Sequence, residues 1–73
     1  MPRKKREVRR DYRRAGFLEE TGKGSHTVYR HPLLQRNYAV AGHDGDDAKR
    51  YDEDNLHEAL VLLEEAKQEG GQA

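Results

Sequence analysis

The sequence predicts a single small α+β domain in the order α-β-β-β-α, occupying residues 1–73 with an ordered core over about 6–68. Three observations predict it. A chain of 73 residues with 33% hydrophobic content supports one modest core. Apolar residues recur at helical spacing near both ends, while the middle holds short β-favouring runs. The runs are joined by glycine and proline turns too short for a crossover, so the three strands are expected to be antiparallel. Two terminal helices then cover one face of the sheet.

Each element has its own reason. Val8, Tyr12 and Ala15 fall at i, i+4 and i+7, predicting a helix over 3–15. Pro2 suits its start and Gly16 its C-terminal cap, and Arg9, Arg10, Arg13 and Arg14 are expected on its solvent surface. Phe17–Thr21 is the first strand. Gly22-Lys23-Gly24 offers residues free to take positive φ and reads as a hairpin turn. Ser25–Arg30 is the second strand, with Thr27, Val28 and Tyr29 favouring it. Pro32 lacks a ladder donor and marks His31–Arg36 as a turn. Asn37–Ala41 is the third strand, with Tyr38 and Val40 on one face. After a polar loop over Gly42–Tyr51, Leu56, Ala59, Leu60, Leu63 and Ala66 give the strongest periodic signal. Asp52 or Asp54 is expected to cap that last helix, and Gly70-Gly71 to end it. Residues 1–6 and 69–73 read as free ends.

Composition narrows the classes. Mean hydropathy is −1.26, and no apolar run approaches the ~20 residues of a membrane span. The basic N-terminus has no apolar segment behind it, so it does not read as a secretion signal. The absence of cysteine excludes disulfides and thiolate zinc sites and agrees with a reducing cytoplasm, the expected location. A net charge of zero hides an asymmetry. Residues 1–36 hold eleven Lys/Arg against four Asp/Glu, and residues 37–73 hold three against ten. That pattern fits a polyanion partner on the basic half. It fits equally two halves that attract each other within one fold.

The chemistry concentrates in Gly22-Lys23-Gly24-Ser25-His26. A histidine here can take or give a proton near neutral pH. Lys23, Arg30 and the N–H groups of Gly24 and Ser25 can oppose charge developing on a phosphate. If the polyanion is RNA, it brings its own nucleophile, the 2′-OH, and neither metal nor cofactor is required. Ser25 is expected to orient the phosphate or the imidazole, not to attack. The rival reading makes His26 a strand-edge residue that packs or caps the turn. His26 and Val28 share one parity of the strand, and Thr27, Tyr29 and His31 the other. His31, His43, Asp44, Asp46 and Asp47 match no metal-binding spacing and read as loop residues. His31 is a turn residue or a second proton carrier. Tyr29 either stacks on an unpaired base or packs on its neighbours, and Leu33 and Leu34 are candidates for a partner contact.

The ordered run Arg14-Ala15-Gly16-Phe17, Gly22-Lys23-Gly24-Ser25-His26 and Tyr29-Arg30-His31-Pro32 resembles the HicA toxins of bacterial type II toxin–antitoxin systems. The segment Tyr38-Ala39-Val40-Ala41-Gly42-His43 and the closing leucine helix extend the resemblance over about residues 9–67. It implies a fold like double-stranded-RNA-binding domains and metal-independent cleavage of messenger RNA with His26 as the catalytic residue. It further implies inhibition by a HicB-type antitoxin, through which any oligomer would form. The other reading is a non-catalytic RNA-binding module of the same fold. Two departures stand out: Ala41-Gly42-His43 replaces a common Pro-x-His, and the loop from His43 to Leu56 is longer and more acidic.

Overall fold

The computed structural model describes residues 2–70. It contains α1 (Lys5–Arg14), β1 (Leu18–Thr21), β2 (Thr27–Arg30), β3 (Tyr38–Val40) and α2 (Arg50–Gly70). The strands form one antiparallel sheet in the order β1-β2-β3, as the short turns require. Thr21 pairs with Thr27, and Thr27 with Val40. Alternation then sends Thr27, Tyr29, Tyr38 and Val40 to the buried face, leaving Val28, Arg30 and Ala39 on the other.

The buried face meets both helices. Val8 and Tyr12 of α1 and Leu56, Ala59 and Leu63 of α2 join Phe17, Tyr29, Tyr38 and Val40 in one cluster. Tyr12 is its centre. Its ring stacks on Tyr29 at 4.5 Å and 8°, and meets Phe17 edge-on at 5.3 Å. Such aromatic pairs add ~0.5–1.5 kcal/mol beyond the area they bury. Burial raises the pKa of all three core tyrosines, Tyr12, Tyr29 and Tyr38, above the ordinary phenol value.

The boundaries differ from the sequence reading at the ends of the elements: β2 starts at Thr27, which leaves Ser25 and His26 outside it, β1 lacks Phe17, β3 lacks Asn37 and Ala41, and both helices shift. α2 starts at Arg50, inside the segment expected to be loop. Asp52 is therefore not the residue that precedes the helix. It sits in the first turn and reaches back, its Oδ2 accepting the Lys49 N–H at 2.8 Å. α1 starts at Lys5, and the Glu7 carboxylate accepts the Lys4 N–H at 2.8 Å. A lysine side chain has no acceptor, so only this half of a capping box forms.

The N-terminal segment is also tied down from residue 3. Arg3 forks between Glu53 (2.8 Å) and Asp11 (2.7 Å), whose carboxylates raise its pKa further. Lys4 pairs with Asp47 at 2.7 Å and holds that exposed carboxyl below its usual range. The Ala48 N–H donates to the Arg3 carbonyl at 2.7 Å. The carbonyls of Asp46 and Asp44 accept the N–H groups of Lys5 and Arg6, which a helix leaves open in its first turn. The long acidic loop is thus the cap and counter-charge of α1. Met1 and residues 71–73, expected to be free ends, lie outside the described residues. No described helix is long and apolar enough to cross a membrane.

Candidate functional site

The hairpin that carries His26 is held from α1. Arg9 was expected on the solvent surface, yet its side chain is only 7% exposed. It points between the hairpin and the end of β3. Its Nη2 donates to the carbonyls of Ser25 (2.9 Å), Val40 (3.3 Å) and Gly42 (2.6 Å), and its Nη1 pairs with Asp44 at 2.7 Å. One turn earlier, Lys5 is buried as well. Its Nζ donates to the Ala41 carbonyl at 2.5 Å and pairs with buried Asp52 at 3.2 Å. A helix brings residues four apart onto one face. Two cations at that spacing therefore grip consecutive residues of one strand end. The sequence signal was available in the i, i+4 spacing of Lys5 and Arg9, though nothing in it separates them from the neighbouring surface arginines.

The clasp fixes where the hairpin residues point. Gly24 has φ +63°, the left-handed conformation the turn requires of a glycine. The Gly22 N–H donates to the His26 carbonyl at 2.8 Å, which extends the ladder by one pair past β1 and β2. Ser25 Oγ accepts the Gly42 N–H at 3.1 Å, joining the hairpin to the segment after β3. The hydroxyl proton stays free to donate. The backbone N–H groups of Gly24 and Ser25 have no hydrogen-bond partner among the described residues. Adjacent unpaired N–H groups in such a turn form a ready concavity for an anion.

His26 is exposed, and its ring makes no hydrogen bond among the described residues. Lys23 is exposed too and joins no ion pair among them. Arg30 lies on the same face of the sheet as His26, but four residues further along. It faces Glu20 at 3.3 Å across the solvent side. The structure therefore brings Lys23, Gly24, Ser25 and His26 together at one rim and leaves Arg30 further along the strand.

The other candidates resolve differently. Tyr29 is fully buried, stacked on Tyr12, with its hydroxyl donating to Glu19 at 2.6 Å, so it offers no face to a base. His31 is half-buried against Phe17, and its Nδ1 accepts the Leu33 N–H at 3.1 Å. Leu33 is 49% exposed, whereas Leu34 packs on the core. Asp44, Asp46 and Asp47 are engaged by Arg9, the His43 N–H and Lys4. Among the described residues no three metal-ligating side chains converge. The charge asymmetry is largely spent inside the molecule, because Arg3, Lys4, Lys5, Arg9 and Arg36 all pair with acids of the second half.

A polar groove of about 290 Å³ lies beside the hairpin. Arg13, Glu19, Gly24, Ser25 and His43 are among the residues that line it, and His26, on the other face of the sheet, does not. No protein-family model matches this chain, and comparison with curated proteins and with solved structures returns no match either.

Proposed function

We propose that this chain is a metal-independent endoribonuclease toxin of the HicA type, cutting messenger RNA and neutralised by a HicB-type antitoxin over the His26 rim. The observation that carries the reading is a solvent-facing imidazole with no internal partner, one residue after two unpaired N–H groups. Acid–base chemistry needs a group free to exchange its proton. A phosphate seated on the Gly24 and Ser25 N–H groups would place a scissile diester beside that ring. Lys23 adds a mobile positive charge for the phosphorane. The RNA supplies the 2′-OH nucleophile, so these residues suffice in kind.

The test compares the wild type with His26→Ala on single-stranded RNA in the presence of a chelator. Cleavage should persist with chelator and fall by ~10²–10⁴ in the variant. Equal cutting by both proteins removes His26 from the mechanism. RNA binding of equal strength with no cutting by either protein favours the non-catalytic RNA-binding module. Its affinity should then weaken steeply with salt.

A further inference from the structure

We propose that the groove beside the hairpin is a guanine-binding subsite that seats one unpaired base next to the phosphate held at Gly24 and Ser25. The inference deepens the ribonuclease reading and rests on it for the placement of the phosphate.

Charge decides the class of ligand. Two guanidiniums, Arg9 and Arg13, and two carboxylates, Glu19 and Asp44, line the groove. Each cation already faces an acid: Arg9 with Asp44 at 2.7 Å, and Arg13 with Glu19 at 3.3 Å. Their formal charges cancel, so the groove has little net pull on a phosphate. What it offers is an array of fixed donors and acceptors, suited to an uncharged polar ring. Gly24 and Ser25 line the same groove while keeping their N–H groups free. A nucleotide whose phosphate sits on those N–H groups therefore has its base within reach of the groove.

The donor and acceptor pattern selects the base. Glu19 is held in place through Oε2, which accepts from the Tyr29 hydroxyl at 2.6 Å and from Arg13 Nη1. Its Oε1 has no partner among the described residues, and its side chain is 33% exposed. Arg13 keeps Nε and Nη2 uncommitted and is 48% exposed. Guanine alone carries two adjacent donors, N1–H and the 2-amino group, to give to a carboxylate. Its O6 and N7 acceptors match a guanidinium. Adenine and cytosine place an acceptor ring nitrogen on that edge, and uracil flanks its one N–H with carbonyls. Each of these would face the Glu19 carboxylate with a lone pair. Reading an unpaired base on its Watson–Crick edge is the usual way proteins recognise single-stranded RNA. The buried, hydrogen-bonded Tyr29 thus serves to orient Glu19 and does not stack on a base itself.

The test uses short single-stranded 2′-deoxy oligonucleotides, which carry no 2′-OH and survive binding. One position is varied among guanine, hypoxanthine, adenine and cytosine. Wild-type protein should bind the guanine oligonucleotide roughly ten-fold or more tightly than the adenine one, with hypoxanthine between them. Amide resonances of Thr21, Gly24 and Ser25 should shift. In Glu19→Gln, which keeps an acceptor for Tyr29, the ranking should collapse. Hypoxanthine varies the ligand alone and removes any question of folding. Equal affinity for all four bases, no binding at all, or a guanine preference that survives in Glu19→Gln overturns the subsite. Guanine-selective binding by a protein that cuts no RNA keeps the subsite and removes the ribonuclease reading. Cutting without guanine preference does the reverse.

Discussion

Two histidines bracket the central strand, and the fold treats them oppositely. His26 precedes β2 and His31 follows it. His26 is exposed, with no hydrogen bond to its ring among the described residues. His31 is half-buried, with Phe17 edge-on at 5.3 Å and Nδ1 accepting from Leu33. The strand parity of each residue is part of the reason. His26 lies on the open face with Val28 and Arg30, whereas His31 follows Thr27 and Tyr29 toward the core. One imidazole can exchange its proton with a ligand. The other spends a lone pair on holding a turn. The same residue type at the two ends of a four-residue strand is thus left free at one end and spent on the fold at the other.

The sharpest way to break that contrast is to remove each ring in turn. His26→Ala should cost ~10²–10⁴ in RNA cleavage and leave stability within about 0.5 kcal/mol. His31→Ala should do the opposite, losing about 1–2 kcal/mol of stability to denaturant while the folded protein still cuts. A reversal of these outcomes would exchange the two roles.

The Arg9 clasp tests why the His26 end is ordered although its ring is free. Arg9→Met leaves the carbonyls of Ser25, Val40 and Gly42 without their shared donor, and Asp44 without its partner. We expect about 1–3 kcal/mol of destabilisation by denaturant, from carbonyls left without a donor, because Asp44 is itself largely exposed. Amide exchange should rise first at Gly22 and Gly42, whose N–H groups bond to the His26 carbonyl and to Ser25 Oγ, and last at Leu33 and Leu34 beside His31. Uniform loss of protection would mean that Arg9 supports the core and not the hairpin.

Alkaline pH probes the side of the sheet to which His31 belongs. Tyr12, Tyr29 and Tyr38 all have pKa values raised by burial. A raised pKa means the folded state resists losing the proton. The stability these groups contribute is complete below the ordinary phenol value of about 10 and is lost as pH climbs above it. Unfolding followed by tyrosinate absorbance should therefore steepen there, and His26→Ala should leave the curve unchanged. The smallest effect belongs to Lys4 and Asp47. The lysine lowers the carboxyl pKa, so the contribution of the pair is present above the usual carboxylate range and fades as pH falls through it. Lys4→Ala should flatten that acid limb slightly at low salt and not at high salt, where exposed pairs are screened.

Local pattern was enough for the elements. The i, i+4, i+7 spacing of Val8, Tyr12 and Ala15, the glycine turn at Gly22–Gly24 and the leucine periodicity after Leu56 determined the order of helices and strands and the antiparallel sheet, because each depends on residues close in the chain. The cluster from Lys23 to His26 was legible for the same reason, being a single turn. Residue type alone did not reveal which charges are buried. Lys5 and Arg9 look like Arg6 and Arg10 until β3 and the acidic loop arrive from more than thirty positions away. The groove, with Arg13 and Glu19 set against the hairpin, likewise exists only once α1 is docked on the sheet. Burial and hydrogen-bond partnership are properties of packed neighbours distant in sequence, so the tertiary structure alone decided which cations hold the fold, and it completed what strand parity began for the two histidines that flank β2.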